Sequence, residues 1–327
     1  MIRTDAVLES VLPVYLLILA GAVLRKTKII RKEHDAGILQ LIFLAMMPCF
    51  ILDKILGSAS LKSSSVVFWS IFLGFSMIIV GIGIGLAVGR LLRLERGSGM
   101  RTFALSSGCQ NFGFFAAPVA ENLWGSGVLA VLFVHNIGVE IAVWTVGVMM
   151  MSGEKGIPWR SLLNGPVVAV AIGLTLITLG LDDHVTGSFR SAMSLIGVGA
   201  FPMAILITGC SMMDLVVQER PSWKIAGGAT VVRLFLVPFA ILCAAKFLPL
   251  TDPLRQVLVV QAAMPAGMTA ILLARMYGGR PAVAVQVVIA TTVVSLFTLP
   301  WIISWGTDWV GLKPVLPWQP TRLSMDP

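Results

Sequence analysis

A few polar and helix-breaking residues, set inside long apolar stretches, have types and spacing that could do chemistry. One stretch reads Ser106-Ser107-Gly108-Cys109-Gln110-Asn111-Phe112-Gly113-Phe114-Phe115-Ala116-Ala117-Pro118, and another reads Gln261-Ala262-Ala263-Met264-Pro265-Ala266-Gly267-Met268-Thr269. A helix broken in lipid leaves amides and carbonyls unpaired, which is tolerated only inside protein or beside a wet cavity. The half-helix that restarts after each break offers free N–H groups and a partial positive charge. Two such starts meeting near the bilayer midplane would make a site for an anion, with a carboxylate as the natural guest.

Two formally charged residues, Glu140 and Arg233, also fall near the centres of apolar segments. Each costs at least about 2.5 kcal/mol unpaired at the bilayer centre, so each is expected to face the protein interior. An ion pair between them is one reading. The other makes Glu140 a proton-coupling carboxylate with Asn136, four residues earlier on the same helix face, as its hydrogen-bond partner. His135 is read as a packed histidine with its hydrogen bonds satisfied, with proton coupling as its functional alternative. A cation/proton antiporter would want a close pair of intramembrane acids, where Glu140 stands alone. An intramembrane enzyme would have only Ser106, Ser107 and His135, with no G-x-S-x-G or H-E-x-x-H setting to join them.

The elements that position these residues follow from hydropathy. The 327 residues are 57% hydrophobic and only 12% charged, far from the composition of soluble domains. Apolar blocks predict helices near 6–24, 35–56, 65–89, 100–123, 126–151, 165–181, 188–213, 222–246, 253–276 and 281–305. The expected fold is all-α and integral to the membrane, with ten transmembrane helices and the lipid bilayer as main partner. Despite a net charge of +8, basic residues lie in short clusters between the blocks, so no nucleic acid is expected. Alternate connections hold fifteen Lys and Arg on one side and eight on the other, Arg233 set aside, which predicts both termini outside the cytoplasm. The four cysteines lie apart in apolar segments, so neither a disulfide framework, a metal site nor a cofactor is indicated. Gly81, Gly85 and Gly89 at four-residue spacing read as a helix-packing face, not a nucleotide loop. The Met149-Met150-Met151 run reads as lipid-facing filler, and Trp301 and Trp305 read as interfacial anchors.

Sliding the chain on itself by about 154 residues brings Pro48 onto Pro202 and Asn111 onto Pro265, and the helix starts line up. Two five-helix repeats are therefore expected, residues 1–152 and 165–306, joined by a short cytoplasmic linker at 153–164 and followed by a tail at 307–327. An odd number of helices per repeat inverts the second half relative to the first, as in many secondary transporters.

At these motifs the chain resembles the auxin efflux carrier family, whose bacterial members are small permeases assigned to organic acids. The resemblance rests on Asn111 followed by Pro118, and on Ala263-Met264-Pro265-Ala266-Gly267 leading through Leu273-Ala274-Arg275-Met276-Tyr277 to Ser295-Leu296-Phe297-Thr298-Leu299-Pro300. It implies a fold like that of bile-acid and sodium-coupled carriers, with broken fourth and ninth helices crossing at the substrate. Helices 1, 2, 6 and 7 would form a scaffold domain, and helices 3 to 5 and 8 to 10 a transport domain. On that mapping Gln110, Asn111, Gly113, Pro118, Pro265, Ala266 and Gly267 line or shape the site. A secondary active transporter of small organic anions, working by alternating access in a bacterial inner membrane, is the expectation. H+ or Na+ would be the coupling ion, and the scaffold would be the face of a homodimer.

Overall fold

The computed structural model describes residues 4–95, 97–152, 163–216 and 222–312. Apart from short 3-10 turns, the helical segments run in the order α1 (Thr4–Lys26), α2 (Lys32–Ile55), α3 (Ser64–Leu91), α4 (Ser98–Gly108), α5 (Ala116–Trp124), α6 (Gly127–Ser152), α7 (Gly165–Thr178), α8 (Gly187–Asp214), α9 (Trp223–Phe247), α10 (Asp252–Ala263), α11 (Thr269–Met276) and α12 (Pro281–Val310). Among the described residues there is no β-strand, only an isolated bridge between Gln110 and Ala266. Seven of these helices, α1, α2, α3, α6, α8, α9 and α12, are long and apolar enough to cross a membrane.

The other three apolar blocks take different forms. α7 has 14 residues, and at 1.5 Å per residue it reaches about 21 Å, short of a 30 Å hydrocarbon core. The remaining two blocks are the interrupted pairs α4/α5 and α10/α11. Boundaries expected elsewhere shift slightly. α12 continues to Val310 rather than giving way to a tail at 307, and the rest of the tail from 313 onward lies outside the described residues, as does most of the linker. Met151 is no lipid-facing filler either: it is 1% exposed, and its sulfur accepts the Thr102 hydroxyl.

Apolar residues cover the outside as well as the inside. Leu12, Leu16 and Leu19 on α1, Phe72 on α3 and Phe297 on α12 are exposed, while the core beneath them is continuous and apolar. A helix that is apolar all round belongs in lipid or deep in a protein.

Helix packing is close where glycines allow it. α1 lies along α8 and α3 along α6. A Cβ on Gly209 would sit 2.1 Å from the Ile18 carbonyl oxygen, and one on Gly138 1.9 Å from that of Ile71. Backbone therefore touches backbone in both pairs, as small residues permit in membranes. The expected glycine face of α3 meets α4 in the same way, since a Cβ on Gly81 would lie 2.6 Å from the Gly108 carbonyl oxygen. α2 rests on α7 and α8, and α12 on α9, α10 and α4.

Two helices contain a π turn immediately before a proline. Ile42–Met46 precedes Pro48 in α2, and Val232–Leu236 precedes Pro238 in α9. Proline lacks an N–H and its ring crowds the carbonyl four residues back, and the wider turn takes up that mismatch without ending the helix. The π turn in α9 carries Arg233.

Candidate functional site

The two helix breaks meet. The Asn111 N–H donates to the Pro265 carbonyl at 2.7 Å, and the Gly267 N–H donates to the Cys109 carbonyl at 2.9 Å. Together they form the antiparallel bridge between Gln110 and Ala266. Backbone groups that the breaks would leave unpaired in lipid thus satisfy one another. The hydroxyl of Thr291 on α12 accepts the Ala266 N–H at 3.1 Å and braces the second break from behind. Pro118 falls within the first turn of α5, where its missing N–H has no intrahelical acceptor to lose.

A cluster of amides surrounds this junction. The Asn136 side chain on α6 donates to the Phe112 carbonyl at 3.0 Å. Gln261 of α10 donates from Nε2 to the same carbonyl at 3.2 Å and to Asn136 Oδ1 at 3.0 Å. Gln110 Nε2 is buried without a partner, and among the described residues no group bonds the side-chain amide of Asn111.

A cavity of about 430 Å³ adjoins the junction. Gln110, Asn111, Gly113, Asn136, Glu140 and Gly267 line it, and its apolar walls include Phe43, Phe114 and Phe133. Pro118, Pro265 and Ala266 do not line it; they shape the chain that does. Lys32, Asp35, Asp214 and Arg275, all at helix ends, border the cavity on the side where the basic connections lie. Arg25 ties that rim together, with Asp35 at 2.5 Å and Asp214 at 3.3 Å. At the opposite helix ends Lys54 of α2 pairs with Glu121 of α5 at 3.0 Å, and Arg190 with Asp53 at 3.4 Å.

The structure does not bring Glu140 and Arg233 together. Glu140 Oε2 accepts from Trp144 Nε1 at 2.6 Å and lies 3.5 Å from Asn164 Nδ2. Asn136 turns to Phe112 and Gln261 instead of Glu140. Arg233 is wholly buried and donates to backbone: Nη1 to Gly108 O at 3.4 Å, and Nη2 to Gln261 O at 3.3 Å and Ala262 O at 3.4 Å. Among the described residues its one side-chain partner is Gln110 Oε1 at 3.5 Å. His135 is packed as expected but not satisfied: it is buried outside the cavity lining, and neither ring nitrogen has a hydrogen-bond partner among the described residues. Ser107 bonds the carbonyl of Phe103 on its own helix at 2.7 Å, and neither serine bonds His135.

Trp144, Asn164 and Gln261 escaped the sequence reading as site residues. Trp144 had a usable signal, standing four residues after the acid that falls near the centre of an apolar segment. Gln261 is a lone amide in an apolar run four residues before Pro265. Asn164, the side-chain cap of α7 through the Val167 N–H at 3.0 Å, reaches Glu140 only through tertiary folding.

The sequence pattern of the family described as "Membrane transport protein" matches residues 6–303, nearly the whole chain. No curated protein matches it significantly.

Proposed function

The chain belongs to this membrane transport protein family, and from that premise we propose that it is a secondary active transporter of small organic anions, with a carboxylate held where the two helix breaks meet. The observation that carries the proposal is the set of unspent donors at the junction. Among the described residues Gln110 Nε2 and the Asn111 amide have no partner, and they stand where the chain leaves α4 and meets the approach to α11. Helix starts favour negative charge, and amide donors orient a carboxylate without neutralising it.

The same proposal includes ten spans in two inverted repeats, with α4/α5 as the fourth span and α10/α11 as the ninth, crossing at the bridge. Supporting it, the helix order of residues 165–306 repeats that of 4–152, broken helix included. The division into scaffold and transport domains is supported by the packing. α1, α2, α7 and α8 contact mainly one another, as do α3 to α6 with α9 to α12. A cavity bordered by the basic helix ends and ion-paired at the other end fits an inward-open stage of alternating access. Glu140, which lines the cavity one turn from the Asn136 that bonds the first break, is the residue through which protons would couple.

Reconstitution into proteoliposomes tests the proposal, with labelled monocarboxylates and dicarboxylates offered under imposed proton or sodium gradients. Saturable uptake is expected, and Asn111→Ala should abolish it. Equal uptake by that variant would remove the site, and no uptake across the panel would remove the substrate class.

A further inference from the structure

Arg233 is a full cation, wholly buried, and among the described residues no carboxylate pairs with it. Taking such a charge out of water is expensive unless other groups replace its hydration. Four oxygens do so for its two terminal nitrogens: the carbonyls of Gly108, Gln261 and Ala262, and Oε1 of Gln110, at 3.3–3.5 Å, while Nε has no partner among the described residues. The three carbonyls come from the C-terminal ends of α4 and α10, where the helices stop at the junction. A helix C-terminus carries roughly half a negative charge, so the two together present about one. One guanidinium balances it.

Carbonyl oxygens freed where a membrane helix unwinds are what a transporter ordinarily offers to a coupling sodium ion. In this chain those oxygens already face a cation that is part of the protein. We propose that Arg233 is a tethered counter-cation: it occupies the oxygen cluster in which a coupling Na+ would be coordinated, and so makes transport independent of Na+. The inference rests on the transporter reading above. It assigns Arg233 a positioning role, since the guanidinium fixes both helix ends and the Gln110 side chain while staying outside the cavity lining.

The test uses the purified full chain in detergent and in proteoliposomes. Wild type, Arg233→Lys, Arg233→Ala and Arg233→Met are melted in NaCl, KCl or choline chloride at equal ionic strength, and again with millimolar guanidinium or methylguanidinium. Wild type should respond alike to the three salts. Arg233→Ala leaves the Gly108 and Ala262 carbonyls without a donor, Gln261 O keeping the Met264 N–H at 3.4 Å, and should shift the unfolding equilibrium at least about tenfold. A guanidinium ion entering from the cavity should reverse that shift saturably where choline does not. Arg233→Lys should keep more stability and uptake than Arg233→Met, a comparison that decides the matter if the alanine variant does not accumulate. A saturable stabilisation of wild type specific to Na+, or an Arg233→Met variant matching wild type in both stability and uptake, overturns the proposal. Guanidinium rescue without uptake of any anion by wild type would instead leave the counter-cation standing and remove the transporter assignment.

Discussion

Gly267→Ala probes the junction through a single methyl group. A Cβ at this position would lie 2.7 Å from the Gln110 carbonyl oxygen and 3.2 Å from its carbon. Ordinary contact begins near 3.4 Å, so the two segments must part by more than half an ångström. They are not free to do so, because the bonds from Asn111 to Pro265 at 2.7 Å and from Gly267 to Cys109 at 2.9 Å hold the strands together on either side. Overpacking of this kind costs about 1–3 kcal/mol, and stretching one bridge bond adds up to about 1 kcal/mol. Gly113→Ala is the control: a Cβ there meets nothing within 4 Å and its backbone is not left-handed, so the fold should not notice it. Equilibrium unfolding in mixed detergent and SDS micelles reads the difference directly. The expected result is a loss of about 1–4 kcal/mol for Gly267→Ala and under about 0.5 kcal/mol for Gly113→Ala. Equal stabilities for the two variants would refute the close backbone approach at the bridge.

Glu140→Gln keeps an acceptor for the Trp144 indole and removes the charge, so the protein should fold, exchange labelled substrate across the membrane, and lose its response to an imposed proton gradient; a gradient response equal to wild type would exclude Glu140 from coupling. Gly138→Ala drives a methyl to 1.9 Å from the Ile71 carbonyl oxygen, and should lower stability by about 1–3 kcal/mol by the same unfolding measurement, whereas Gly83→Ala, with open space around it, should not lower it. The Lys54–Glu121 pair is 20% and 35% exposed, so a double-mutant cycle with Lys54→Met and Glu121→Gln should return a coupling of only about 0.2–1 kcal/mol.

Much of the architecture can be read in the chain because lipid imposes one rule on many residues. Each apolar block found by hydropathy became a helix or a pair of half-helices, and the breaks were visible because Asn111, Pro118, Pro265 and Gly267 interrupt otherwise apolar runs. The partners of the buried charges were less legible. Glu140 and Arg233 have similar depths in their segments, but depth says nothing about which way a helix face turns, and the π turn at Val232–Leu236 rotates the residues after it. More fundamentally, Arg233 binds carbonyls, and a carbonyl acceptor has no letter in a sequence. Asn136 is expected from its spacing to serve Glu140, four residues on, yet its amide completes the break at Phe112 and meets Gln261 instead.

The bridge at Gln110 and Ala266 also bears on how the protein is made. During synthesis the first break enters the membrane long before Pro265 and Gly267 exist, so the Cys109 carbonyl and the Asn111 N–H must wait for their partners. An unsatisfied backbone group in hydrocarbon costs several kcal/mol. The first half of the chain therefore has reason to hold its fourth segment out of lipid, or shielded by other protein, until the second half arrives. Completion of the fold is then a late event, timed by the ribosome's passage beyond α10 into the second break.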